Sequence, residues 1–152
     1  MLLPRPLPYP QGRVSILLVS PLEADHASLR QILDHSAWRL MEAFSCDEAN
    51  RLLSAHNIPV IICARYLPDG DWKSMLQWVF EGPDPARLIV CSRLADDRLW
   101  AEVLNLGCYD LLVTPFVPEE VFRVCFLAWD TWQREREHGI VPRGRLVSAM
   151  AG

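Results

Sequence analysis

The sequence predicts a doubly wound α/β domain, with five parallel strands in the spatial order 2-1-3-4-5 and five helices covering both faces. Two observations carry that prediction. Runs such as Val14–Val19 and Pro59–Ala64 are short and apolar on both faces, as strands covered from both sides must be. Such runs alternate with stretches of helical periodicity through five rounds. Right-handed crossovers leave few ways to connect them, and the order 2-1-3-4-5 is the best of those.

Taken in order, Val14–Val19 is the first strand, followed by a helix over Leu22–His35 with Leu29, Ile32 and Leu33 on one stripe. Trp38–Phe44 is the second strand. Ser45 and Glu48 then form a capping box that starts a helix through His56. Pro59–Ala64 is the third strand, and Asp71 caps a helix running to about Glu81, where Gly82 and Pro83 stop it. Leu88–Ser92 is the fourth strand, and Asp96 caps a helix that ends at Gly107, a natural left-handed terminator. Tyr109–Val113 is the fifth. Pro118 lies in the first turn of a long final helix reaching about His138, with Gly139 after it.

At 152 residues the chain is one ordinary domain, able to bury about 70% of its unfolded surface. Its 51% hydrophobic content supports a sizeable core. Residues 1–12 form a proline-rich arm, residues 13–139 the ordered domain and residues 140–152 a loose tail. A net charge of −4 with interspersed signs argues against nucleic acid, which needs a concentrated basic face. Cys46, Cys63, Cys91, Cys108 and Cys125 include no C-x-x-C pair and read as buried thiols in a reducing compartment. His26, His35, His56 and His138 stand at no metal-ligand spacing from them. Prolines 4, 6, 8 and 10 interrupt any signal-peptide core, and no run approaches the ~20 apolar residues of a membrane span. The expectation is a soluble cytoplasmic protein without cofactor, metal, nucleic acid or membrane.

In an open parallel sheet the functional crevice lies at the carboxyl ends of the strands. Here those ends are Val19-Ser20-Pro21, Cys63-Ala64-Arg65, Cys91-Ser92-Arg93 and Val113-Thr114-Pro115. Three segments around them, Ile16–Val19, Ile61–Trp72 and Gly107–Phe116 (G-C-Y-D-L-L-V-T-P-F), resemble the response-regulator receiver family of two-component signalling. The resemblance runs over nearly all of residues 14–137 and implies a flavodoxin-like fold. It also implies a phosphorelay site, which this chain lacks. The family's phosphoacceptor aspartate corresponds to Ala64, and its two Mg²⁺-binding acids to Ser20 and Pro21. Its phosphoryl-binding lysine corresponds to Thr114 and its switch aromatic to Leu111. Only the Ser/Thr position survives, as Ser92. Mg²⁺ needs carboxylate oxygens that serine and proline do not supply, and phosphoryl transfer depends on such charge neutralisation.

Displaced acids offer an alternative: Glu23 and Asp25 follow the first strand, Asp69 and Asp71 the third. Each also has a structural reading, as a cap or as a first-turn acid facing the helix dipole. A flavin-type phosphate loop fits poorly, because Ser20-Pro21-Leu22-Glu23 has an imino acid and a carboxylate where phosphate needs N–H donors.

The final helix is apolar nearly all round from Val121 to Trp132. Val121, Cys125, Ala128 and Trp132 are expected to face the sheet, leaving Val124 and Leu127 to project outward. In the preceding helix Leu99, Val103 and Leu106 form one stripe and Trp100 and Leu104 another; periodicity leaves open which faces inward, and the family alignment puts Trp100 and Leu104 outward and so the first stripe inward. With Leu111 these residues predict a homodimer surface on the helix 4–strand 5–helix 5 side, the side receivers use to pair or to grip targets. The sequence therefore predicts a non-enzymatic, degenerate receiver (a pseudo-receiver) that binds a protein partner independently of phosphorylation. The alternatives are a phosphoacceptor built on displaced acids and a small-molecule sensor using the vacated crevice.

Overall fold

A computed structural model describes residues 13–82 and 85–138. The proline-rich arm, Pro83, Gly139 and the C-terminal tail lie outside the described residues. The elements are β1 (Val14–Val19), α1 (Glu23–Leu33), β2 (Trp38–Ala43), α2 (Cys46–Ala55), β3 (Val60–Ala64), β4 (Tyr66–Leu67), β5 (Gly70–Asp71), α3 (Trp72–Phe80), β6 (Arg87–Ser92), α4 (Asp97–Asn105), β7 (Asp110–Val113) and α5 (Pro118–His138). One parallel sheet takes the order β2-β1-β3-β6-β7. With the two-residue pieces β4 and β5 set aside, this is the expected 2-1-3-4-5 arrangement of a flavodoxin-like domain.

β4 and β5 pair antiparallel, Tyr66 with Asp71 and Leu67 with Gly70. Their sequence carries no alternation long enough to announce a strand, so the ribbon is set by packing. An added Cβ at Gly70 would meet Cys46 Sγ and Ser74 Oγ at 3.0 Å, which leaves only a glycine's room between ribbon, α2 and α3.

The helix ends follow from local chemistry. Asp71 accepts from Lys73 N and Ser74 N, with the reciprocal Ser74 bond completing a capping box. Asp96 accepts from Leu99 N at 2.8 Å. Ser45 Oγ accepts from Glu48 N at 3.2 Å, but the Glu48 carboxylate returns to Phe44 N instead of the Ser45 amide. α4 closes through Cys108 N to Val103 O and Gly107 N to Leu104 O, with Gly107 at φ 103°. That is the Schellman pattern.

The core is continuous, and β3 is buried along its whole length. All five cysteines are free and buried. α5 lies across β3, β6 and β7 and buries Val121, Cys125, Ala128 and Trp132. Two expectations are corrected. Val124 is 1% exposed and belongs to the core, because it stands three residues from Val121 on the same helical stripe. Leu106 is exposed, because the Schellman turn at the end of α4 carries it off the inward stripe. The polar end of α5 is docked against the sheet: Arg87, at the start of β6, pairs with Glu135.

Burial pushes the Cys46 thiol up to about 11, with Asp69 adding to the shift, and burial pushes Cys108 and Cys125 up to about 12. Unfolded thiols ionise near ~8.5. The folded state therefore holds protons the unfolded state releases, and stability present below that value declines as pH rises toward 12. A disulfide reagent at pH 8 is expected to leave the native chain unlabelled and to label all five thiols in urea. The urea midpoint is expected to fall between roughly pH 9 and 11.

Candidate functional site

The register brings the expected crevice residues to one end of the sheet. Val19 pairs with Cys63, Ala64 with Cys91 and Ser92 with Val113, so Ser20, Ala64, Ser92 and Thr114 lie at neighbouring strand ends. Arg65 N donates to Cys91 O and Thr114 N to Ser92 O, each extending the ladder by one residue. The Thr114–Pro115 bond is cis. Ser20, Ala64 and Thr114 are buried, and Pro21 is exposed.

The two serine hydroxyls are engaged locally. Ser20 Oγ donates to Asp25 Oδ2 at 2.7 Å and accepts from Leu22 N at 3.1 Å. Ser92 Oγ accepts from Leu94 N at 3.2 Å. Cys91, beside Ser92 on β6, is pushed far up by burial and then by the charge of Asp25.

Each displaced acid has a structural partner. Glu23 pairs with Arg30, and Asp71 caps α3. Asp69 reaches across the crevice end to cap α2, accepting from Cys46 N at 2.8 Å and Asp47 N at 3.0 Å. Those backbone donors hold its carboxyl below the usual carboxylate value. Among the described residues no three His, Cys, Asp or Glu side chains are arranged to hold a metal. The Mg²⁺ of the receiver family therefore does not fit this donor set: Ser20 is committed to Asp25, Pro21 offers no ligand, and Ala64 offers a methyl group.

Sequence reasoning missed His26. It is fully buried, and its Nε2 donates to the Ser20 carbonyl at 2.9 Å. Its Nδ1 lies 2.9 Å from Glu42 Oε1, which Arg30 also engages, and its ring stacks on Phe44 at 4.0 Å. The network clamps the end of β1 to α1 and β2. The signal was there to find, since His26 occupies the stripe of Leu29 and Leu33 three and seven residues on.

A second surface lies where β7 forms the sheet edge. Trp100, Leu104 and Leu127 line one groove of about 540 Å³, with Tyr109 and Thr131 in its wall. Trp100 is 49% and Leu127 40% exposed, while Leu104 and Leu111 are half-buried. Val124 takes no part in this surface.

No protein-family model matches the chain. In sequence it is 26% identical over 110 residues to the hydrogenase transcriptional regulatory protein HoxA of Cupriavidus necator, matching 72% of this chain. The chain spans about a quarter of that relative, 23% of its length. In structure it is similar to the signal receiver domain of an HD domain-containing protein from Pseudomonas fluorescens Pf-5 (TM-score 0.75, 27% identity, covering 82% of this chain and 93% of that one). It shares its fold with the CheY-like receiver domain protein of Methanospirillum hungatei JF-1 (TM-score 0.72, 18% identity, 82% and 99% covered). The same holds for the beryllofluoride-activated NtrC4 receiver domain dimer (TM-score 0.71, 23% identity, 78% and 98% covered).

If Asp69 serves α2 and not a metal, Asp69→Ala is expected to lower the thermal midpoint at pH 7. Its contribution is present above the usual carboxyl pKa and lost as pH falls, so the variant should also lose less stability on acidification than the parent. Mg²⁺ is expected to shift the melting temperature of neither protein. A rise with Mg²⁺ that vanishes in the variant would make Asp69 a ligand.

Proposed function

We propose that this chain, which is of the response-regulator receiver family, works as a phosphorylation-independent protein–protein interaction module in two-component signalling. One observation carries the reading: the buried position at the end of β3 that would accept the phosphoryl group is Ala64. Around it, the positions that would hold metal and clamp the phosphoryl group are Ser20, Pro21 and Thr114. A receiver acts as an enzyme only in phosphorylating itself, so a chain without nucleophile or metal ligands is not one. Its place is the cytoplasm, beside the kinases and regulators of such pathways.

Pairing supports the same reading. Trp100, Leu104 and Leu127 share a groove beside the edge strand β7, on the α4–β7–α5 side, with Leu111 on β7 itself. A two-fold axis there would bury the same patch on both subunits. Burying a few such side chains, at about 1.5–3 kcal/mol each before association costs, suffices for micromolar pairing. The NtrC4 receiver, similar in fold, is described as a dimer.

Incubation with a small-molecule phosphodonor and Mg²⁺, read by intact mass, is expected to add no phosphate. Ala64→Asp alone is expected to restore none, because metal ligands and the lysine are still missing. A phosphate mapped to Asp25, Asp69 or Asp71 would instead establish a receiver using displaced acids. For pairing, sedimentation of the wild type is expected to show a dimer, and Leu127→Glu a folded monomer. Val124→Glu, in the core, is expected to unfold. A wild type that stays monomeric at high concentration would remove the dimer.

A further inference from the structure

Pro4, Pro6, Pro8 and Pro10 alternate with Arg5, Leu7 and Tyr9 in the arm of residues 1–12, which lies outside the described residues. Each proline fixes φ and lacks an N–H, so such a sequence favours polyproline II and offers carbonyl acceptors with few donors between them. Segments of this kind dock in grooves with an exposed aromatic wall, because their preformed backbone has little conformational entropy to lose.

A groove of that description lies at the amino end of the sheet. It measures about 360 Å³ and opens between the carboxyl ends of α2 and α3, with Leu53, Ile58 and Val79 among its lining residues. Trp78 stands in its wall and is 46% exposed. An indole held half in water beside buried Ile58 and Val79 leaves apolar area for an occupant to cover. The polar part of the wall suits a chain of carbonyls. Among the described residues, the side-chain N–H groups of Asn57 and Trp78 meet no acceptor. Glu81, also in the lining, takes part in no ion pair with them.

The chain enters the domain beside this groove. Ile16 pairs with Val60 in the parallel β1–β3 ladder, so Val14, two residues earlier, stands level with Ile58. Neighbouring strands are about 4.8 Å apart, which puts the start of β1 about one strand spacing from the groove wall. Gln11, Gly12 and Arg13 are connector enough for that gap. The stretch from Pro10 back to Pro4 then spans roughly 19 Å at about 3.1 Å per residue, the length of a groove between two helix ends. Arg5 is the one charged residue from Pro4 to Pro10, and its sign is opposite to that of Glu81.

We propose that the groove between the ends of α2 and α3 holds the chain's own proline-rich arm, its prolines against Trp78, its carbonyls on Asn57 and Trp78 N–H groups, and Arg5 toward Glu81. A proline-rich segment of another protein would then reach Trp78 only by displacing the arm. The inference depends neither on the fate of the phosphoryl site nor on pairing through α4, β7 and α5.

The test uses the full chain. Its five thiols are buried, so Leu3→Cys and Ser148→Cys each give one site for a nitroxide label, on the arm and on the C-terminal tail. NMR is read with the label oxidised and reduced. The Leu3 label is expected to broaden the Trp78 indole signal and the Glu81 amide, and the Ser148 label to leave both sharp. Trp78→Ala, or Pro6→Gly with Pro8→Gly, is expected to restore the Glu81 amide. A capped peptide of residues 1–12 is expected to shift the Trp78 indole of the chain carrying Pro6→Gly and Pro8→Gly. It should do so with an apparent affinity at least about tenfold tighter than for the wild type, whose tethered arm competes at a local concentration on the order of mM. No broadening from the Leu3 label, broadening indifferent to Trp78→Ala, or a peptide that binds both chains equally or neither would overturn the proposal. Broadening by the Ser148 label would make the tail the occupant. Broadening that arises only from a second, spin-labelled copy mixed with an isotope-labelled one would make it another chain. Either result would also overturn the proposal.

Discussion

Burial of β1 and β3 on both faces is the constraint from which the rest of the molecule follows. Ile16 to Val19 and Val60 to Cys63 are wholly shielded from solvent, so neither face of the central sheet can be left to water. Helices must cover both, and parallel crossovers are the connection that delivers them. Each crossover returns the chain to the same edge of the sheet. Strand carboxyl ends and helix N-termini therefore collect at one end, where every loop has to satisfy unpaired backbone N–H groups. A loop-lined end where helix N-termini gather is thus a product of core packing before any residue there is chosen for chemistry.

Under the proposed reading, that origin explains how the chemistry could go while the fold stayed. The acids at this end answer to the helices: Asp69 holds the first N–H groups of α2, Asp71 those of α3 and Asp96 that of Leu99. Removing a cap exposes donors and destabilises a helix, whereas an alanine at position 64 leaves no group unsatisfied and its methyl joins the core. Ser20 is equally self-sufficient, with its hydroxyl shared between Asp25 and Leu22 N and its carbonyl taken by His26. A network in which each polar group already has a partner has little capacity left for an incoming ion.

The alternation of apolar runs and caps was legible because each signal is local. Six-residue strands, an Asp before a helix and a glycine after one act within a single turn of chain, and Asp71, Asp96 and Gly107 stand where those rules put them. What escaped is what depends on distant partners. Val124 and Leu127 are both apolar and three residues apart, and only the placement of α5 across three strands decides that the first is core and the second surface. The cap that Asp69 provides spans more than twenty positions to Cys46 and Asp47, beyond any capping rule read along the chain. His26 finds Glu42 by the pairing of β1 with β2, which places the end of β2 beside α1. That Ser20, Ala64, Ser92 and Thr114 meet at neighbouring strand ends was readable by alignment, but the turns that Ser20 and Ser92 close were not.

An alanine at position 64 also bears on how the proposed module can be regulated. A ligand moves an equilibrium only as far as its affinities for two states differ. In a phosphorylatable sheet the phosphoryl group supplies that difference at the strand ends, and packing carries it to the far side of the last strand. Under the proposed reading, with Ala64 in place and Ser92 Oγ held by Leu94 N, no covalent input reaches Thr114 or β7. Under the proposed reading, the surface beside α4 and α5 takes its shape from folding alone. Its occupancy then follows the concentration of whatever binds it. Under that reading, control passes from a reaction within the domain to the supply of its partners.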